Sequence, residues 1–195
     1  MGLVHLYCGD GKGKSTAAAG LALRMAGRGK RAVICRFLKN DRSGEAAALS
    51  RMENVTVIPA AGDFGFTWNM TAEVKKEAAK ANLTMFRKAV ETVNSVLENV
   101  DYPANAVDDS GADSGDLTAE VLLVLDEACA AVNTGMIPLE ELTGFLDQRP
   151  AGLEVVLTGR DPAEELIARA DYITEFRKKK HPYDRGIRAR NGVEY

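Results

Sequence analysis

The residues best suited to chemistry lie near the start of the chain, in Gly9-Asp10-Gly11-Lys12-Gly13-Lys14-Ser15-Thr16. A triphosphate needs many N–H donors at close range, and glycines let the backbone approach it and take positive φ so that successive amides turn inward. Lys14 supplies a mobile cation, and the Ser15 hydroxyl is of the type that binds Mg²⁺ in such loops. A second group follows the apolar run 121–125, which delivers Asp126-Glu127. In a strand-end acid pair, one carboxylate holds Mg²⁺ directly or through water, and the other orients a reacting group. The competing reading of the pair is a simple cap for the next helix.

The loop departs from the general phosphate-binding pattern G-x-x-x-x-G-K-[ST]. Gly13-Lys14-Ser15 fits it, but Cys8 holds the first glycine position, with Gly9 and Gly11 inside the loop instead. The dinucleotide pattern G-x-G-x-x-G fails, because the third glycine comes too early and the second apolar segment ends in Arg36 where a ribose-binding acid belongs. A variant P-loop remains, against the bland alternative of a flexible Gly/Lys turn.

The elements that must hold these groups can be read in order. An apolar strand ends at Cys8, and the alanine-rich stretch 14–26 reads as the helix whose free N-terminal amides and positive dipole end face an anion. Residues 31–37 form a second, continuously apolar strand of the kind buried in parallel sheets. A short helix over 45–52 leads to a strand over 55–58. Thr71 reads as the N-cap of a long helix with an apolar stripe from Val74 to Val96, which is core. Further strands fall at 121–125, 153–157 and 172–176, with helices at 138–146 and 162–168. The alternation specifies an α/β fold with a mostly parallel central sheet flanked by helices. The turn Thr158-Gly159-Arg160 then lies on the edge where ligands bind, so Arg160 joins the candidate phosphate or ribose contacts, with plain solvent exposure as the alternative reading. Lys39, two residues past the second strand, is a further candidate nucleotide contact.

Two segments resist this scheme. The loop after the third strand carries the sole Trp and two of the six Phe: Phe64, Phe66 and Trp68. It reads as a lid or apolar wall, with Phe64 the residue best placed to tuck into the core. Residues 102–118 hold acids, Pro103 and two glycines with almost no bulky apolar side chain, and read as a flexible acidic insertion. The segment 177–195 is its opposite, with seven bases against the single acid Asp184 between Arg177 and Arg190. Composition makes it a solvated basic tail, with an anion contact as second choice.

At 195 residues with a net charge of −3, the chain reads as a single domain and not as a nucleic-acid binder. No apolar run approaches the ~20 residues of a membrane span, and no leader pattern is present. The three cysteines, Cys8, Cys35 and Cys129, are odd in number and set in apolar runs, which fits reduced core residues of a cytoplasmic protein.

Taken together, the segments resemble the P-loop type of ATP:corrinoid (cob(I)alamin) adenosyltransferases. The resemblance rests on 9–16, Phe37-Leu38-Lys39, Gly65-Phe66-Thr67-Trp68, Leu125-Asp126-Glu127, Asn133-Thr134-Gly135, Thr158-Gly159-Arg160, Ala170-Asp171-Tyr172, Lys180-His181-Pro182-Tyr183-Asp184 and Gly192-Val193-Glu194-Tyr195. It implies a RecA-like sheet, usually dimeric, that transfers the 5′-deoxyadenosyl group of ATP to reduced cobalt while triphosphate leaves intact. The nucleotide then lies reversed, so Gly9, Asp10, Gly11, Lys12, Gly13, Lys14, Ser15 and Thr16 grip the leaving group. Mg²⁺, with Mn²⁺ as an alternative, falls to Ser15, Glu127 and Asp126. Phe66 and Trp68 correspond to aromatics that displace the lower cobalt ligand, and Lys14 joins them as a catalytic residue. The substrate partners implied are ATP and a reduced corrinoid, with a flavoprotein as electron donor. Arg36 and Asn40 depart from the family's usual residues, and the acidic insertion is long. The competing readings are a P-loop kinase or triphosphatase, which needs no aromatic loop, and a non-enzymatic nucleotide switch.

Overall fold

The structure, a computed structural model, describes residues 2–40, 43–99 and 119–193. The expected acidic insertion, 102–118, lies outside them. Six parallel strands form one sheet: β1 (Val4–Cys8), β2 (Arg31–Arg36), β3 (Val55–Val57), β4 (Val121–Asp126), β5 (Leu153–Thr158) and β6 (Tyr172–Glu175), in the order β3-β2-β4-β5-β1-β6. Helices α1 (Lys14–Gly27), α2 (Gly44–Leu49), α3 (Ala72–Glu98), α4 (Ala128–Asn133), α5 (Leu139–Asp147) and α6 (Glu164–Ile167) connect them.

The continuous apolar runs of the central strands are explained by burial on both faces. Alternate side chains feed two separate cores. Val4, Leu6, Val33, Leu123, Leu125 and Val155 pack with Phe86 and Val93 of α3 and with Leu142 and Leu146 of α5. Ile34, Leu122, Val124 and Val156 pack with Ala18, Ala22 and Ala26 of α1 and with Leu49 of α2. Thr71 caps α3, its Oγ1 accepting from Val74 N at 3.4 Å. Phe64 packs against the first core, as its sequence context suggests, whereas Phe66 and Trp68 remain exposed.

Element ends differ from the sequence reading by one to three residues in most places. The helix expected at 162–168 shortens to α6, and the one assigned to 138–146 begins after Pro138, which serves as its N-cap. Helix α4 directly after the acid pair has no counterpart in the sequence reading.

At the sheet edge remote from the phosphate loop, Glu154 anchors the start of β1. Its Oε2 accepts Leu3 N at 2.7 Å and its Oε1 lies 2.6 Å from His5 Nε2. Burial pushes the Glu154 carboxyl up, but the hydrogen bonds from His5 and Leu3 outweigh it and hold the group below its ordinary value. A lowered native pKa gives stability that is present above the unfolded value of about 4.3 and lost as pH falls through the native one. Thermal melts should therefore show Tm declining from about pH 5 downward, with Glu154→Gln flattening that decline. An equally steep acid limb in the variant would count against the anchor.

Candidate functional site

The loop after β1 is threaded against the backbone that leaves β6. Phe176 N donates to Cys8 O at 2.8 Å, and Gly11 N donates to Phe176 O at 2.6 Å. A Cβ at Gly9, whose φ is 100°, would fall 2.5 Å from the Phe176 carbonyl oxygen, and one at Gly11 would fall 2.7 Å from the same group. These two glycines are therefore required by a neighbouring strand as well as by any anion. Gly13, at φ 115°, occupies the N-cap of α1 without a side-chain cap, which leaves the first-turn amides to a ligand.

Lys14 is 8% exposed and donates from Nζ to Gly9 O at 2.7 Å and to Gly11 O at 2.8 Å. Burial lowers its pKa, and Glu127, Asp10 and Asp126 partly restore it. Beside Ser15, Asp126 ends β4 and is buried. Its Oδ1 accepts from Ser15 Oγ at 2.8 Å and from Thr158 Oγ1 at 2.6 Å, while its Oδ2 meets Lys39 Nζ. Lys39 Nζ also donates to Ser15 Oγ at 2.9 Å. Burial alone would raise the Asp126 pKa; the Lys39 charge and the three hydrogen bonds outweigh it and keep the carboxylate ionised.

Glu127 sits in the left-handed region, φ 61°, at the N-cap of α4, and makes no side-chain cap bond. The capping explanation of the acid pair therefore fails: the Glu127 side chain lines the cleft instead. A β-carbon-bearing residue pays about 1–2 kcal/mol for this conformation. Thr158, fully buried at the end of β5, stabilises it by accepting Glu127 N at 2.9 Å while donating to Asp126. Leu38 (φ 55°) and Asp161 (φ 48°) share the left-handed conformation and also follow strands, so all the strained non-glycine residues described lie on this one edge.

Thr158 is a site residue that the sequence reading passed over as a turn, because its role depends on a strand neighbour 31 residues away. Thr158→Val should lower kcat/KM by about ten- to a hundredfold, the cost of leaving Glu127 N without its acceptor and Asp126 Oδ1 one donor short, and Thr158→Ser should recover most of it. Equal losses in both variants would reduce Thr158 to a packing residue.

A cleft of about 1060 Å³ brings together Asp10, Gly11, Lys12, Gly13, Lys14, Ser15, Thr16, Lys39, Asp126, Glu127 and Arg160. Gly9 is not among the residues that line it. Phe66 and Trp68 do not line it. They stand on a single 3₁₀ turn, 64% and 76% exposed, with their rings stacked at 4.6 Å between centroids and 13° between planes. The tail reaches it: Lys178, His181, Tyr183, Asp184 and Val193 form part of the wall, while most of the segment from 177 to 193 stays exposed, as a solvated tail would.

The oxygen donors of Ser15, Asp126 and Glu127 are hard ligands gathered on one side of the cleft, a set that suits Mg²⁺ or Mn²⁺ and not a thiophilic ion. The cysteines stand apart from this chemistry. All three are buried and free, and burial raises their pKa, to about 12 for Cys35 and Cys129. No helix among the described residues is long and apolar enough to cross a membrane.

A parallel sheet with β5 between the loop-bearing β1 and the acid-bearing β4, and a lysine-bearing glycine loop beside a strand-end acid pair, define an α/β protein of the RecA-like P-loop class. Over residues 1–195 the sequence matches the family model described as ATP:corrinoid adenosyltransferase BtuR/CobO/CobP, and the chain belongs to that family. It is 31% identical over 195 residues to a corrinoid adenosyltransferase of Pseudomonas aeruginosa, covering all of this chain and 84% of that one. It is 29% identical over 194 residues to the corrinoid adenosyltransferase of Escherichia coli K12, and 28% identical to corrinoid adenosyltransferase CobA of Salmonella typhimurium. Each of these two matches spans all of this chain and 86% of the relative.

Proposed function

We propose that the chain transfers the 5′-deoxyadenosyl group of ATP to cobalt(I) of cobalamin or a related corrinoid and releases triphosphate. The observation that carries the reading is a division of labour: a cationic cradle with the acid pair Asp126-Glu127 inside the cleft, and an exposed aromatic pair outside it. A kinase or triphosphatase has use for the first and none for the second.

In this reaction the cobalt(I) electron pair attacks C5′, the C5′–O bond breaks, and its electrons depart with the triphosphate while cobalt becomes formally cobalt(III). No general base is required. Negative charge collects on the leaving group, where Lys14, Lys12, Lys39, Arg160 and the amides about Gly13 oppose it. Gly9, Asp10 and Gly11 shape the loop that aims these groups, and Thr16 adds a first-turn amide of α1. Ser15 and Glu127, with Asp126 beside them, would hold Mg²⁺, which contributes further neutralisation of triphosphate charge. Phe66 and Trp68 serve the corrinoid face. Apolar rings can press against cobalt's lower side without coordinating it, and reduction becomes easier once that ligand is lost. A homodimer, a flavoprotein electron donor and a cytoplasmic setting complete the reading.

The test is to mix the protein with Mg-ATP and chemically reduced cobalamin. A light-sensitive cobalt–carbon product with stoichiometric triphosphate is expected. ADP without that product would overturn the assignment in favour of a kinase or triphosphatase.

A further inference from the structure

Lys178 belongs to the segment that follows β6, and its surroundings distinguish it from the rest of the basic tail. Two backbone bonds through Phe176 tie that segment to Cys8 and Gly11, and a third contact, Lys178 N to Asp10 Oδ1 at 2.9 Å, fastens it to the loop itself. The bond from Lys178 N is the leading cause that holds the Asp10 carboxyl below its ordinary value. The side chain lines the same cleft as Lys12, Lys14 and Arg160, and its Nζ lies 3.1 Å from Asp184 Oδ1, another residue of the wall. An ammonium so anchored is neither a free surface charge nor part of a buried pair. The Lys178 backbone is fastened to the rim of the polyphosphate cradle by the Asp10 carboxylate, and its half-exposed ammonium is left with Asp184 beside it.

We propose that Lys178 is a further binding residue for the triphosphate, and that Asp184 is the carboxylate with which the triphosphate competes for its ammonium group. This rests on the adenosyltransferase reading only in taking a triphosphate as the anion gripped. The placement follows from the threading of β6. Because the chain leaving β6 crosses the loop at Gly9 and Gly11, the first residues of the tail must lie against the cradle, whatever the rest of the tail does. A multiply charged anion in the cleft offers Lys178 several acceptor oxygens with more charge than the single Asp184 carboxylate.

The experiment is calorimetric titration of the full chain with inorganic triphosphate, in the absence of corrinoid, for wild type, Lys178→Met, Lys178→Arg and Asp184→Asn. Lys178→Met is expected to bind about tenfold more weakly, the loss of one charge-assisted contact, while Lys178→Arg stays within about twofold of wild type. Asp184→Asn should bind as tightly as wild type or more tightly, because the competitor is gone. Adenosine, which carries no phosphate, should bind wild type and Lys178→Met alike. Wild-type triphosphate affinity in Lys178→Met would overturn the inference, as would a loss in Asp184→Asn equal to that in Lys178→Met, which would make the pair structural. The two readings fail separately. Triphosphate binding that depends on Lys178 without any cobalt–carbon product sinks only the proposed function, and adenosylation with Lys178-independent triphosphate binding sinks only this inference.

Discussion

Lys14→Ala should cut triphosphate release from Mg-ATP and reduced cobalamin by at least about a hundredfold, with the cobalt–carbon product lost in step. The expectation follows from where the amine stands. It is almost fully buried, held by two carbonyl oxygens of its own loop, and its charge is already strained by burial. A cation fixed in that way costs no reorganisation when negative charge builds on a departing triphosphate, and removing one preorganised charge partner costs about 10²–10³ in rate. Loss of the ammonium also leaves the Gly9 and Gly11 carbonyls without the donor that holds them. Near-normal turnover in Lys14→Ala would refute the role of the loop as the grip on the leaving group. Coupled assays of triphosphate and of the light-sensitive product read both halves of the reaction.

Trp68→Ala should behave differently. ATP affinity should remain within about twofold of wild type, while adenosylation falls about ten- to a hundredfold when cobalt must be reduced on the protein, equivalent to roughly 1.4–2.7 kcal/mol of barrier. The structural reason is separation. Trp68 and Phe66 stack on each other outside the cleft that holds the cradle, and the loop is tethered by Phe64, which packs against the core. The two exposed rings, stacked side by side on one loop, present an apolar face that a flat apolar ligand can cover. Supplying cobalt already reduced should return much of the activity to Trp68→Ala, since the wedge is then no longer needed for reduction. Equal loss of ATP affinity and of adenosylation would make the loop a structural element.

The two variants probe parts of the chain that differ in how readily they can be read without coordinates. The cradle is local. Strand, glycines, lysine and helix are contiguous in sequence, and their spacing carries the geometry, so 9–16 and the N-terminus of α1 fall where the pattern puts them. Both cores follow from the apolar runs in the same way, because residues two apart share a face of a strand. Short helices were harder to read. Helix α4 starts directly after the acid pair from a left-handed Glu127 that makes no side-chain cap bond, and its six residues are too few to show a period. Helix α6 is a single turn whose boundaries depend on what it packs against.

The amino-acid sequence by itself determined the chemistry on offer: a glycine and lysine loop for a polyphosphate, two carboxylates at a strand end, an aromatic loop, and an order of motifs specific enough to indicate a family. The tertiary structure decided which of these groups meet and what each is for. Sheet order sets β5 between β1 and β4, and that alone turns Thr158 from a turn residue into the hydroxyl that orders both Asp126 and Glu127. Pairing of β6 with β1 carries Phe176 across the loop, which accounts for Gly9 and Gly11 by close approach and draws Lys178 to the rim of the cleft. The physical reason is the same in both cases: local spacing specifies what a segment can do, whereas contacts between strands far apart in sequence follow from the order in which the sheet assembles.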